Sequence, residues 1–425
     1  MKLGSLTFSL ISVLILLATP KAITAPISNQ PQIDTNKSVN INKQKEPASP
    51  NNFQITEVPK DLAIKLDLSP FYKKYCDANG IPILASDQVS DYALKEAAFL
   101  IIQMIGHRQD LIDAIANNKI RVVIMAPNEF TTDIPEHSDL TPKEYWDRRA
   151  RGLGATPQRP AISCGEENLL SYPGDPYASE NIFIHEFAHV IHQIALKDVD
   201  PTFDRRLRQA YANAIKNGLW SNTYAGSNPE EYWAEGTQSY FNCNRQNDSE
   251  HNDINSKAKL KNYDPQLTKL LSEVFGDNPW QYEKPFVRNP ASPHLAGFDT
   301  NKMKTFKWPD KLLNLDQSSF KNEISIPTNS VTLTPINRNL PNFNKSFSSS
   351  KATKLFFKNL TDSTVQIYWL DFSGNAHLYT PIKPGDTWEV TSYANHIWSV
   401  RSQDNKEISR FICEDKPCLA IIKQN

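Results

Sequence analysis

The chain has little excess of either charge: the formal balance over 425 residues is −1 at pH 7. That absence removes the electrostatic footprint of a nucleic-acid-binding protein, and with no run of basic residues there is no patch for an anionic membrane surface. Beyond the first 25 residues no apolar run is long enough to span a bilayer, so no membrane span is expected there. Glycine is scarce, no internal repeat is found, and cysteine is limited to five residues.

What is present begins with an export signal. Lys2 gives a positive start, an apolar run follows from Leu6 to Ala18, and small residues close it near Ala25. Residues 1–25 are therefore expected to be a secretory signal peptide, cut after Ala22 or Ala25, and the protein is expected to be secreted, extracellular or periplasmic. Cysteines in an exported chain are expected to form disulfides. Cys413 and Cys418 enclose only EDKP and make a natural local pair. Cys164 is expected to pair with Cys243, since both lie near the histidine motif described below, which leaves Cys76 free or as a thiolate latch on a metal.

The length suggests two or three units. Residues 26–57 hold few apolar side chains and no periodicity, and are expected to be a disordered tether. Over 58–285 the pattern mixes helix and strand. Ser90 is placed to cap a helix through DYALKEAAFLIIQMIG, and IRVVIM at 120–125 reads as a strand. Residues 127–180, with repeated prolines and the pairs GLG and PGDP, are expected to be ordered loops ahead of a helix from about Asn181 to Leu196. Asp200-Pro201 and Asn228-Pro229 start two further helices. Residues 286–352 show no sustained period and are expected to be a linker. From 353 to 425, seven short strand-like segments separated by SGN, KPGD and SQDN turns suggest a small β-sandwich. The expected fold class is thus an α+β body followed by a small all-β sandwich.

The most informative stretch is HEFAHVIHQIA at 185–195. His185 and His189 sit four apart around Glu186, which on a helix turns both imidazoles to one side, while Phe183, Ile184, Phe187, Ala188, Val190 and Ile191 form an apolar back. The longer form of this motif would need glycine at position 192 and histidine at 195. The chain has His192 and Ala195, which excludes that class. A third ligand must come from elsewhere, and TYAGSNPEEYWAEGTQSYF at 223–241 offers Glu231 and Glu235 four apart on one helical face. Either could bind metal while the other holds a histidine in the right tautomer. Glu231 also fits a capping box with Asn228, an explanation without metal. His192 lies seven residues after His185 on the same face and is read as structural or as support behind the ligands. Zinc held by two imidazoles and a carboxylate would activate water, Glu186 would take its proton, and the expected reaction is peptide-bond hydrolysis.

Residues 181–241 resemble the zinc protease domain of anthrax lethal factor and its secreted relatives, which place an H-E-F-x-H helix before Y, six residues, then E-x-x-A-E. Tyr224 and Glu231-Tyr-Trp-Ala-Glu235 keep that register. The resemblance implies a zincin-like catalytic domain over about 58–285, Zn2+ as cofactor, Glu231 as third ligand, Glu235 behind the ligands, and the Tyr224 hydroxyl pointing at the substrate.

The segment NLTDSTVQIYWLDFSGNAHLYTPIKPGDTWEVTSYANHIWSVR resembles the β domain of the von Hippel-Lindau tumour suppressor, through W-L-x-F-x-G, Y, P-G and S-Y-x-x-H-x-W. It implies that Trp369, Tyr379 and Trp398 wall an apolar slot and that Ser392 and His396 bond the hydroxyl of a hydroxyproline. A hydroxylated pyrrolidine does need flat aromatic walls with a donor and an acceptor at the far end. The helical domain that recruits the degradation machinery in that suppressor has no counterpart here, so ubiquitin-ligase function is not implied. The expectation is an exported zinc endopeptidase acting on proteins or peptides, with hydroxyproline-rich or collagen-like targets. Its rivals are a non-catalytic adhesin and an effector toxin that cuts one host protein.

Overall fold

Three β-branched or apolar strands form the centre of the first body. In the computed structural model, which describes residues 53–315, 326–336 and 343–423, Ile81–Ala85, Arg121–Met125 and Ala161–Gly165 run parallel and are buried along their whole length. Burial on both faces is what selects near-continuous apolar strands in a parallel sheet. The full order is Thr56–Glu57, Lys74–Ala78, Ile81–Ala85, Arg121–Met125, Ala161–Gly165 and Gly152–Leu153, the last pairing antiparallel at the edge. The helix Asp91–Ile105 packs on this sheet and starts at Ser90, whose hydroxyl accepts from the Tyr92 N–H.

Behind the sheet lies the helix Ile182–Val190, capped by the Asn181 side chain (2.9 Å to the Ile184 N–H). Phe183, Ile184, Phe187, Ala188 and Val190 are buried in the main core, as the apolar back of the motif requires. The helix then widens into a π-turn at Ile191–Ala195, a feature that often marks functional sites. Helices Phe203–Lys216 and Pro229–Tyr240 follow, the latter with Pro229 in its first turn and the Asn228 side chain bonded to the Glu231 N–H at 2.8 Å.

The C-terminal module is a sandwich of two four-stranded sheets. One orders Ala376–Ile382, Val365–Leu370, Ile397–Arg401 and Glu407–Ile412; the other orders Thr387–Tyr393, Ala352–Asn359, Cys418–Ile422 and Val331–Leu333. All seven segments expected from 353 onward form strands. Phe357, Ile367, Trp398, Val400 and Phe411 fill the space between the sheets.

Several expectations need correction. Within 127–180, expected to be loop, the structure has the central strand Ala161–Gly165, the edge strand Gly152–Leu153 and the helix Lys143–Arg149. A five-residue strand bounded by Pro160 and Gly165 has no periodicity of its own and is held by pairing with Arg121–Met125. The tether ends sooner than expected, because Phe53 is buried in the main core. The linker is shorter too. Arg288 and His294 both bond the fully buried Glu96, Phe306 is 2% exposed, and Val331–Leu333 adds a parallel strand to the sandwich. Isolated anchors of this kind leave no repeat for a pattern search to find.

Neither expected disulfide forms: all five cysteines are free and buried. The thiols of Cys164 and Cys243 turn to the carbonyls of Gly165 (3.5 Å) and Gln238 (3.4 Å). Cys413 and Cys418 do meet, as thiols, and the proximity of Cys413 holds the Cys418 thiol below its usual pKa. Cys76 lies in the main core, where burial pushes its thiol up to about 12, and it joins no metal-ligating group among the described residues. The signal segment and most of the tether lie outside the described residues. Among the described residues no helix is long and apolar enough to cross a membrane.

Candidate metal centre and aromatic slot

The helix Ile182–Val190 presents His185 and His189 on one side, and the first turn of Pro229–Tyr240 brings Glu231 opposite them. His185 Nε2 and Glu231 Oε2 are 3.1 Å apart, His185 Nε2 and His189 Nε2 3.2 Å, and His189 Nε2 and Glu231 Oε2 3.4 Å. Ligands held at zinc bond lengths of about 2.0–2.1 Å in a tetrahedron would be about 3.3 Å apart. The three edges fit that triangle.

The hydrogen bonds behind the triangle sharpen the fit. Gln238 Nε2 donates to Glu180 Oε2 (3.1 Å) and to the Asn181 carbonyl (3.2 Å), so its Oε1 is the atom facing His185 Nδ1 at 2.8 Å. Nδ1 must then donate, which leaves Nε2 with its lone pair directed at Glu231 and His189. A lone pair on His185 Nε2 facing the Glu231 carboxylate at 3.1 Å is repelled unless a proton or another cation lies between them. The electrostatics agree. Burial opposes a charge on His185, but the Glu231 hydrogen bond and charge outweigh it and hold the imidazole well above its usual pKa. Burial would likewise raise Glu231, yet His189 and His185 outweigh it and hold the carboxyl far below its usual range. The site calls for positive charge, which a proton or a metal ion can supply.

Around the triangle, Glu235 is not a ligand. Its Oε1 stands 3.5 Å from His185 Nδ1, and its Oε2 takes hydrogen bonds from Asn244 (2.9 Å) and lies 3.2 Å from His251 Nε2. The Tyr224 ring lies alongside His185, centroids 6.2 Å apart and planes 23° from parallel. Burial, with Glu231 nearby, pushes the Tyr224 hydroxyl well above its usual pKa and keeps it protonated. Glu186 lies under the edge strand: a Cβ added at Gly154 would stand 3.3 Å from Glu186 Oε2, and one at Gly152 would stand 2.3 Å from Ile182 Cγ2. His192 does not support the ligands. Its Nε2 bonds Asp204 Oδ1 at 3.0 Å, just inside the π-turn, and its ring packs by Phe203 and Trp233. Sequence reasoning missed Gln238, Glu180, His251 and the two glycines. The GLG pair was the one visible signal, taken there as a loop marker.

In the sandwich, Trp369 and Trp398 are direct cross-strand partners, so both face the same side of their sheet. Tyr379 occupies a register shift between Leu378 and Thr380 and meets Trp398 with ring centroids 4.8 Å apart. His396 stands 5.3 Å from Trp369. Ser392 comes from the facing sheet, and its oxygen accepts from the Trp398 indole N–H (3.0 Å) and the Cys413 thiol (3.4 Å). The five expected slot residues are therefore brought together. The inner end is closed, because Ser392 and Trp398 are 1% and 2% exposed. At the outer end the Trp369 indole N–H is buried without a hydrogen-bond partner.

Residues 344–411 match the VHL beta domain family. The match begins ahead of the strand Ala352–Asn359 and stops at Phe411, so every slot residue of the VHL-like module lies inside it while the strand Cys418–Ile422 lies beyond. Comparison of the chain with curated proteins finds no match.

Proposed function

We propose that the protein is an exported zinc-dependent endopeptidase with a zincin-like body, and that its VHL-like module recognises hydroxyproline in the substrate. The observation that carries the first half is the 3.1–3.4 Å triangle of His185, His189 and Glu231, with the His185 tautomer set by Gln238. The second half rests on the family match and on the polar atoms of the slot. Export rests on residues 1–25.

His185 Nε2, His189 Nε2 and the Glu231 carboxylate would hold the ion. When bound, zinc supplies Lewis acidity to water and to a peptide carbonyl. Glu186 takes a proton from the attacking water at its carboxylate and later passes it to the leaving amine nitrogen. Tyr224 donates its O–H to the carbonyl oxygen as charge develops there. The edge strand Gly152–Leu153 lies close over one side of Glu186.

In the slot, Ser392 already accepts twice and retains its own proton to give. Burial lowers the pKa of His396, so at neutral pH the ring carries a lone pair and accepts. A hydroxyl that accepts from Ser392 and donates to His396 satisfies both, whereas plain proline leaves both unpaired. Since Ser392 is buried, ligand entry requires the Trp369 and His396 end to part.

Zinc analysis of the purified protein, together with digestion of matched hydroxylated and plain peptide libraries by wild type and Glu186→Gln, tests this. The expected result is one zinc per chain in both proteins, hydrolysis by wild type alone, and a preference for hydroxylated peptides. Absence of zinc, or hydrolysis that persists in the variant, overturns the peptidase reading; equal use of both libraries overturns the recognition reading.

A further inference from the structure

The outer end of the slot is ringed by aromatic side chains that the fold leaves in water. Among the described residues three aromatic side chains stand exposed, Phe347 at 45%, Phe372 at 49% and Tyr393 at 39%, and all three lie at this one mouth. Phe372 meets Trp369 edge-on with ring centroids 5.5 Å apart and His396 at 5.6 Å, and Tyr393 stands 5.2 Å from His396. Phe347 is tied to the same turn through its N–H, which donates to the Asn395 carbonyl at 3.2 Å. An exposed apolar surface continuous with a slot marks where more of the ligand lies.

The backbone under these rings is braced. The Asp371 carboxylate accepts from the Ser373 and Asn375 N–H groups, both at 2.8 Å, and from the Asn375 side-chain amide at 2.9 Å, and it lies 2.9 Å from His377 Nε2. That fixes the turn carrying Phe372. On the other side the His396 N–H donates to the Tyr393 carbonyl at 3.0 Å and the Asn395 N–H to the Cys413 carbonyl at 2.8 Å. Rings presented from a fixed backbone lose little freedom when a partner covers them.

The partner's chemistry follows from what the mouth lacks. The Trp369 indole N–H is buried without an acceptor, and the parting of the Trp369 and His396 end that ligand entry requires uncovers it. A polyproline-II chain has no internal hydrogen bonds, so its carbonyls are free to accept, and its pyrrolidine rings pack on aromatic walls. Such a chain advances about 3.1 Å per residue, so the residues one and two places from a slotted ring lie roughly 3–6 Å along it. Phe372 and Tyr393 stand at that distance from Trp369 and His396.

We propose that this surface takes a single polyproline-II chain, with hydroxyproline in the slot, its neighbouring prolines on Phe372 and Tyr393, and a backbone carbonyl on the Trp369 indole N–H. This rests on the recognition reading above and adds the residues beside the hydroxyproline to what is recognised. A hydroxyproline between glycines or alanines fills the slot and leaves the outer rings uncovered.

The test uses the full-length protein carrying Glu186→Gln, so that no peptide is cut during the measurement. Peptides of one length hold a single central hydroxyproline flanked on both sides by prolines, alanines or glycines, each with its unhydroxylated counterpart, and calorimetry reads binding. Proline flanks are expected to tighten binding of the hydroxylated peptide about tenfold over alanine or glycine flanks, equivalent to about 1.4 kcal/mol. Phe372→Ala and Tyr393→Ala, both at exposed positions, should each reduce that ratio severalfold while the preference for hydroxylated over plain peptide is kept. The two variants separate contact with the rings from the stiffness that proline flanks give the free peptide. Equal affinity for all flanks, or a flank preference unchanged in both variants, overturns the proposal while the hydroxyl preference still stands. Equal binding of hydroxylated and plain peptides overturns the recognition reading, even where the flank preference and its loss in the variants remain, and no binding of any peptide overturns both.

Discussion

The candidate metal centre and the aromatic slot are both assembled from side chains distant in sequence, but they differ in how their polar atoms are satisfied. At the candidate metal centre Gln238 Oε1 takes the His185 Nδ1 proton as a hydrogen bond, so that Nε2, facing the Glu231 carboxylate at 3.1 Å, is the atom that must meet a proton or a metal ion. In the slot, the Ser392 oxygen is already used by Trp398 and Cys413, and the inner end is closed. The first arrangement asks for a cation without moving. The second asks for a ligand that can part its outer residues and then meet one donor and one acceptor. On the proposed function, preorganisation belongs to the candidate metal centre and discrimination to the slot.

Four substitutions and one titration can break or sharpen that contrast. The largest effect is expected from Glu186→Gln, which should lower turnover by about 10²–10⁴-fold while zinc content, measured by mass spectrometry, stays unchanged; loss of zinc would move Glu186 from proton transfer to ligation. Gln238→Ala frees the His185 tautomer and should weaken zinc about 10–100-fold, read by competition with a chelator. Trp369→Ala should weaken hydroxylated peptides by about 2 kcal/mol, the scale of an aromatic anchor, with no change in zinc affinity; calorimetry reads both. Gly152→Ala drives a methyl into Ile182 and should cost about 1–3 kcal/mol of stability, read as a fall in the denaturant midpoint. The smallest effect is a pH dependence. Because burial lowers the pKa of His396, protonation removes its acceptor only below the ordinary imidazole value of about 6.5. Binding of hydroxylated peptide should then be flat from pH 8 to about 6.5 and fall below it, and a fall that began above that value would contradict the role given to His396.

The two regions also differ in how far their residues could be read in advance. The histidine pair was legible because a helix with an apolar back fixes which way residues four apart must point. Glu231 and Glu235 were legible as a pair of candidates, but only folding separates the carboxylate 3.1 Å from His185 Nε2 from the one 3.5 Å from its Nδ1. Gln238 was not legible: an uncharged amide three residues past Glu235 carries no signal until its partners Glu180 and Asn181 are in place. Of the two readings left open for His192, the structural one describes its place, since its imidazole turns to Asp204 where the helix widens into the π-turn. Sandwich strands were readable from alternation and turn residues, whereas Ala161–Gly165 depends on its parallel neighbour. The disulfide expectations failed because nearness in sequence says nothing about thiol direction, as Cys164 and Cys243 show. The docking of the module through Leu378 in the main core, Tyr379 under Arg208 and Thr380 on the Ser227 carbonyl had no sequence signature, since one register shift decides which of three consecutive side chains faces which body.

The central claim is that two imidazoles and one carboxylate hold a single divalent ion. X-ray absorption at the zinc edge, on protein purified without added metal and on Glu231→Gln, addresses it directly. Two imidazole shells and one oxygen ligand from protein at about 2.0–2.1 Å in the wild type, with the carboxylate contribution lost in the variant, is the predicted result. Zinc that shows no imidazole scattering, or a spectrum unchanged by the Glu231 substitution, would contradict it.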